Sequence, residues 1–310
     1  MYHPERAIRS AFIGGRKHGA TAEAELDRIL ATSAPERRRA AWPQRVVIGT
    51  GAVAILIAGI ALLRPVPAEA ALTPPMLEMS PTNREAAPLL EELAGVRASA
   101  APTVPATVET EGWSLSLDIS HEGDLTASNT VPLTYSTACG PDGGITQTIT
   151  AAAPFLGQDP AGLSTPGAVL MEESLTADEV AAIVPPLPDD RSGVSDFLQQ
   201  VGETRDLSAA SMIDYYGASM PWLCSTPAQE AAFLEALSAA PGITLRATTT
   251  DRQGRPAWLF SAASDTSDER LIVSSDDGSI LGYEKVHTGN DLAPLLSAPA
   301  VTTYYTRSTS

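Results

Sequence analysis

The side chains that most readily do chemistry are few in these 310 residues: four histidines and two cysteines. A nucleophilic triad on the far side of the chain would need His121 or His287 as its base. The nearest nucleophile motif, Gly217-Ala218-Ser219-Met220-Pro221, lacks the second glycine of a nucleophile elbow and follows a helical pattern, so it reads as a helix end with a proline stop. Cys139, Cys224, His121 and His287 include no short-spaced ligand pair to anchor zinc. Glu172-Glu173 and Asp189-Asp190 are adjacent pairs, and adjacent side chains diverge on a strand or helix, so they make poor acid/base partners. Asp276-Asp277-Gly278 lacks the alternating oxygen ligands of a calcium loop and reads as a turn. No phosphate-cradling or dinucleotide-binding glycine motif occurs. The sequence therefore assigns no catalytic residue, no metal ligand and no cofactor.

The cysteines suit a different role. In an oxidising compartment two thiols of one folded domain tend to pair, so a Cys139–Cys224 disulfide is expected, with two separate buried thiols as the alternative. That compartment follows from the segment Val46–Leu63, eighteen residues without a charge. At about 1.5 Å per residue the run nearly matches a hydrocarbon core of roughly 30 Å, and a transmembrane helix is expected there. Arg37, Arg38, Arg39 and Arg45 precede it and only Arg64 follows closely, which places the N-terminus in the cytoplasm and the rest outside. Ala68-Glu69-Ala70 offers a cleavage site after Ala70, but the leader and the apolar run are both longer than in a secretory signal, which favours an uncleaved anchor.

Charge divides the same way. Residues 1–45 carry nine Lys and Arg against five Asp and Glu, whereas residues 64–310 carry eleven against thirty-two. An outer part this acidic is soluble and argues against nucleic acid or anionic lipid as its partner.

Four regions are expected: a cytoplasmic segment over 1–45, the span over 46–63, a proline-rich linker over 64–82, and an outer domain over 83–310. The first holds one amphipathic stretch, Ala20–Ala31, too small to bury a core, and reads as a tail or a helix that orders on a cytoplasmic regulatory partner. Pro65, Pro67, Pro74, Pro75 and Pro81 suit a stiff spacer. Leu89, Leu90, Leu93 and Val96 then follow helical spacing. From Thr107 the period becomes 2: Trp113, Leu115, Leu117 and Ile119 alternate with polar neighbours, and Thr130–Ala138 and Ile145–Ala153 repeat the pattern about a Gly-Pro-Asp-Gly-Gly turn. Thr176 with Glu179 and Thr226 with Gln229 form capping boxes, and helices are expected between Thr176 and Ala240. Ile243–Val286 reads as a four-stranded meander closed by an Asp-Gly hairpin, and Ala300–Tyr305 as an edge strand. The fold class expected is α+β: a single transmembrane helix, then an extracytoplasmic antiparallel-sheet domain with a helical insert. Trp113, Trp222, Trp258 and Phe260 read as core, although a concave sheet capped by helices also suits an apolar or peptide ligand.

The Leu-Asp-Arg-Ile-Leu helix and arginine cluster before the span, Ala70–Pro75 after it, Leu89–Ala94, Pro241-Gly242, Asp251–Arg255 and the Asp-Gly hairpin together resemble an uncharacterised family of single-pass membrane proteins from high-GC Gram-positive bacteria. Its members are often encoded beside extracytoplasmic-function sigma factors. The resemblance implies a role in envelope signalling and no reaction. Direct sigma-factor inhibition of the zinc type would need an inner cysteine, and the inner segment has only His3 and His18. The function expected is a non-enzymatic sensor or binding module that recognises an envelope ligand or protein partner. The alternatives are a structural or carrier module with the helix only as tether, and a hydrolase with an unrecognised site.

Overall fold

The computed structural model describes residues 44–47, 71–119, 125–128, 130–201, 207–293 and 295–309. In chain order the elements are β1 (Gln44–Val47), β2 (Met79–Ser80), α1 (Ala86–Ala98), β3 (Thr107–Ser114), β4 (Ser116–Ile119), β5 (Leu125–Ser128), β6 (Leu133–Cys139), β7 (Ile145–Ala151) and β8 (Val169–Leu175). Then come α2 (Ala177–Ile183), α3 (Arg191–Val201), α4 (Ala209–Ser219), a 3₁₀ turn at Met220–Trp222, and α5 (Pro227–Ser238). Strands β9 (Thr244–Thr250), β10 (Pro256–Ala263), β11 (Ser267–Ser274), β12 (Ile280–His287) and β13 (Ala300–Thr309) complete the chain.

Ten strands form one antiparallel sheet in the order β2-β9-β10-β11-β12-β13-β3-β6-β7-β8. The α+β class with an antiparallel sheet and several helices is thus the fold. Two meanders, β9–β12 and β3 with β6–β8, are joined by β13, which pairs with β12 on one side and β3 on the other. The final segment is therefore central and not an edge strand, and it runs on through Thr306–Thr309. Its polar end hid this: Arg307 and Thr306 are buried although their composition reads as solvent-facing. The stretch expected as one strand through Ile119 breaks at Leu115, whose amide donates to the Thr302 carbonyl. Beyond the break, β4 joins a second sheet in the order β1-β4-β5.

One face of the large sheet carries the helices. Leu89, Leu90 and Leu93 of α1, Ile213 and Tyr216 of α4, and Phe233, Leu234 and Leu237 of α5 pack with Phe260, Leu271, Val273 and Tyr283 of the sheet. Both expected capping boxes are present, at Thr176 with Glu179 and at Thr226 with Gln229, and they fix where α2 and α5 begin. The opposite face is covered by Leu292, Leu295 and Leu296 over Trp113 and Val301, and by Leu77 over Leu259, Ile272 and Leu281. Residues 71–80 are thus no free spacer: they form a strap along the sheet, with Ala71 donating to the Leu295 carbonyl and β2 pairing with β9.

Among the described residues no helix is long and apolar enough to cross a membrane. Residues 48–63 of the expected span, and the helix expected over 20–31, lie outside the described residues. Val46 and Val47, the first residues of that expected span, instead belong to β1 and pair with β4.

Candidate functional site

The chemistry-bearing side chains gather into charged networks on the two faces of the sheet. On the helix face, Arg307 of β13 reaches across to Glu230 of α5 at 2.8 Å, and Arg97 of α1 holds the other carboxylate oxygen at 2.8 Å. Ser225 donates to the same carboxylate, and Arg307 also donates to the Leu223 carbonyl. Arg307 and Glu230 are both about fully buried, at 2% and 1% exposure, so their charges are offset by protein groups, which for Arg307 include the Tyr216 and Ser225 hydroxyls as well. The Cys139–Cys224 disulfide lies one residue from this network, with Cα atoms 5.9 Å apart, and ties the end of β6 to the segment after the 3₁₀ turn.

A second helix-face network joins Asp214 of α4 to Glu269 of β11 and to Tyr283 and Lys285 of β12. Lys285 Nζ is 3.1 Å from an oxygen of each carboxylate, and the Tyr283 hydroxyl contacts both. Burial pulls the Lys285 ammonium down, but Glu269 and Asp214 outweigh it and hold the group above its ordinary value. Burial pushes the Tyr283 hydroxyl well up, and the two carboxylate charges add to that. Gly217 lets α4 sit directly on this ring, since a Cβ there would lie 2.2 Å from Tyr283. A lysine kept charged and a tyrosine kept neutral act as donors to carboxylates, so this arrangement clamps helix to sheet.

The third network crosses the other face. Asp268 binds Arg246 and Arg270, at 3.2 and 2.9 Å, and Glu284 binds Arg270 at 3.0 Å and Arg252. The Arg252 guanidinium stacks 4.2 Å from the Tyr304 ring centre and donates to the Pro75 carbonyl of the strap at 3.0 Å. There the strap and β9 bound an open groove of about 480 Å³, lined by Pro75, Met76, Glu78, Ser80, Thr248–Thr250 and Arg252. Arg252 Nε is buried without a hydrogen-bond partner among the described residues.

Apart from the cysteine pair, the described residues singled out from sequence do not converge. His121 lies outside the described residues. His287 is buried on β12, with Nε2 3.3 Å from Asp291 Oδ1. Ser219 ends α4, and the Met220–Trp222 turn follows it. Glu172 and Glu173 alternate along β8, while Asp190 accepts from the amide of Gly193 within the first turn of α3. Trp113, Trp222 and Phe260 are core, and Trp258 packs against it half-buried. Sequence reading missed the networks and β8. Opposite charges inside otherwise apolar strands, as in Asp268-Glu269-Arg270 and Glu284-Lys285, are the signal that was there.

No family model matches the chain, and no curated protein matches it. Among solved structures, the chain is partly similar to an inactive mutant of the CurK dehydratase, with 11% identity over 64% of this chain and 78% of that one, at a TM-score of 0.12. The dehydratase domain from the CurK module of the curacin polyketide synthase gives 12% identity over 69% and 85%, at a TM-score of 0.13. Likeness at this level carries no argument about fold or activity.

Proposed function

We propose that the protein is a membrane-tethered, non-enzymatic binding module whose acidic outer domain recognises an envelope ligand in the groove between the strap and β9. The groove with Arg252 on its wall is the observation that carries this reading. It supplies the exposed side chain of Met76, the hydroxyls of Thr248–Thr250 and one guanidinium, a set suited to a polar ligand with an anionic or carbonyl group. In the chain the strap follows the apolar stretch at 48–63, so occupancy of the groove would bear on the segment that tethers the domain. The resemblance to single-pass proteins encoded beside sigma factors supports a role in envelope signalling.

Native mass spectrometry of the full chain extracted from membranes tests this. A ligand retained by the wild type and lost from Thr249→Trp, which fills the groove, is the expected result. No ligand in either, or equal occupancy in both, overturns it.

A further inference from the structure

Acid and base are distributed very unevenly across this sheet. Residues 98–190, which supply β3 to β8 and α2, hold thirteen Asp and Glu and no Lys or Arg. On the β9–β13 half the buried carboxylates Asp251, Asp268, Glu269 and Glu284 each meet a cation of the chain itself. On the β3–β8 half the half-buried Glu109 and Glu111 meet hydroxyls and no cation among the described residues: Glu109 accepts from the Ser136 hydroxyl and Glu111 from the Tyr304 hydroxyl.

This half ends in an open edge. Strand β8 pairs with β7 through Ile145↔Leu175 to Thr150↔Val169, and it is the last strand in the sheet. Among the described residues nothing pairs with its other side. Seven residues of backbone there offer a row of free donors and acceptors. Glu172 is exposed on one face and Val169, at its start, is 62% exposed.

A second observation points to what is missing. Gln147 of β7 is fully buried and donates to Thr137 Oγ1 and the Pro221 carbonyl, at 2.9 and 2.8 Å. Its Oε1 has no hydrogen-bond partner among the described residues. Its cross-strand neighbour on the same face is Glu173, whose Oε1 is also buried and also without a partner among them. Two acceptors side by side and no donor is an arrangement that costs free energy until a donor arrives. Burial also raises the Glu173 carboxyl, in keeping with a carboxylate that lacks a cation.

We propose that the free edge of β8 receives an extended, cationic segment of a partner protein, which adds a strand to the sheet and sets a Lys or Arg beside Glu173. Main-chain pairing supplies the attachment, and the acidic half-sheet supplies the choice of partner. A second copy of this chain is disfavoured on the edge, because two β8 strands would bring Glu172 and Glu173 of both copies together. This site is separate from the strap groove, and a groove ligand would be indifferent to Glu173.

Fluorescence anisotropy with the full chain in nanodiscs tests the inference, using a ten-residue peptide of alternating Lys and Val and its Glu-for-Lys counterpart. The basic peptide is expected to bind with a Kd of about 10–100 µM at low salt, and the acidic one not to bind. Glu173→Gln keeps the shape of the side chain and should weaken binding about tenfold, with circular dichroism unchanged. Hydrogen exchange should show new protection within Val169–Leu175. Equal affinity for Glu173→Gln, protection elsewhere only, equal binding of both peptides, or no binding of the basic peptide below about 1 mM each overturns the proposal.

Discussion

At Glu230 three groups converge on one carboxylate: Arg307, Arg97 and the Ser225 hydroxyl. Removing a single partner from a buried pair leaves the other charge stranded, which costs about 3–5 kcal/mol. Glu230→Ala should therefore lose stability of that order in urea unfolding, whereas the double change Glu230→Leu with Arg307→Met should lose much less. A loss below about 1 kcal/mol for the single change would show that Arg307 finds water. Gly278 is a second residue where one atom decides. Its φ is +69°, and a Cβ there would stand 2.3 Å from the Leu93 carbonyl oxygen, so the Asp-Gly hairpin and α1 close on each other only with glycine present. Gly278→Ala should cost about 2–4 kcal/mol, read as a fall in the urea midpoint at unchanged slope. The turn was legible in Asp276-Asp277-Gly278. The contact with α1 was not, because nothing local specifies it.

Among the elements, β13 departs furthest from its sequence signal. Ala300–Tyr305 has the apolar alternation of a strand, and an edge position would suit so short a run. In the fold it stretches to Thr309 and is paired on both sides, with both terminal nitrogens of Arg307 bonded to groups of the helical insert. Deleting residues 300–310 should abolish the cooperative unfolding transition, whereas loss of a true edge strand would leave one; circular dichroism during thermal melting separates the two. The Cys139–Cys224 bond belongs to this scale as well, since it closes an 85-residue separation and joins β6 to the helical insert. Replacing both cysteines by serine should lower stability by about 2–5 kcal/mol, measured against the oxidised wild type in urea. Capping boxes, the Asp-Gly hairpin and the period-2 runs were readable because each depends on residues within a few positions. Strand β8 was not, because a half-exposed edge does not need to alternate sharply.

For the whole molecule, the tyrosines set a common pH dependence. Burial raises Tyr135, Tyr215, Tyr216, Tyr283, Tyr304 and Tyr305 above the ordinary phenol, Tyr215 to about 12. An unfolded tyrosine releases its proton near pH 10, while the folded ones hold theirs, so rising pH favours unfolding. Lys285 shifts in the same direction and adds to the effect. Stability should be undiminished by these groups below about pH 10 and fall steadily from there to about pH 12, tracked by the urea midpoint at stepped pH. A flat profile across that window would show these hydroxyls to be open to solvent.

Composition and pattern alone determined the α+β class, the helical insert between two sheet-forming halves, both capping boxes and the acidity of the region after the apolar run, since these follow from local propensity, periodicity and simple charge. Only the tertiary structure decided that the last strand is central, that residues 71–80 are strapped to the sheet beside Arg252, and that Gln147 and Glu173 are cross-strand neighbours whose Oε1 atoms meet no donor among the described residues. Each of those depends on long-range pairing between segments whose own composition is indifferent to where they lie. A buried arginine or a polar strand gains its place from partners up to two hundred positions away, as Val108 and Thr309 do across the junction of the meanders.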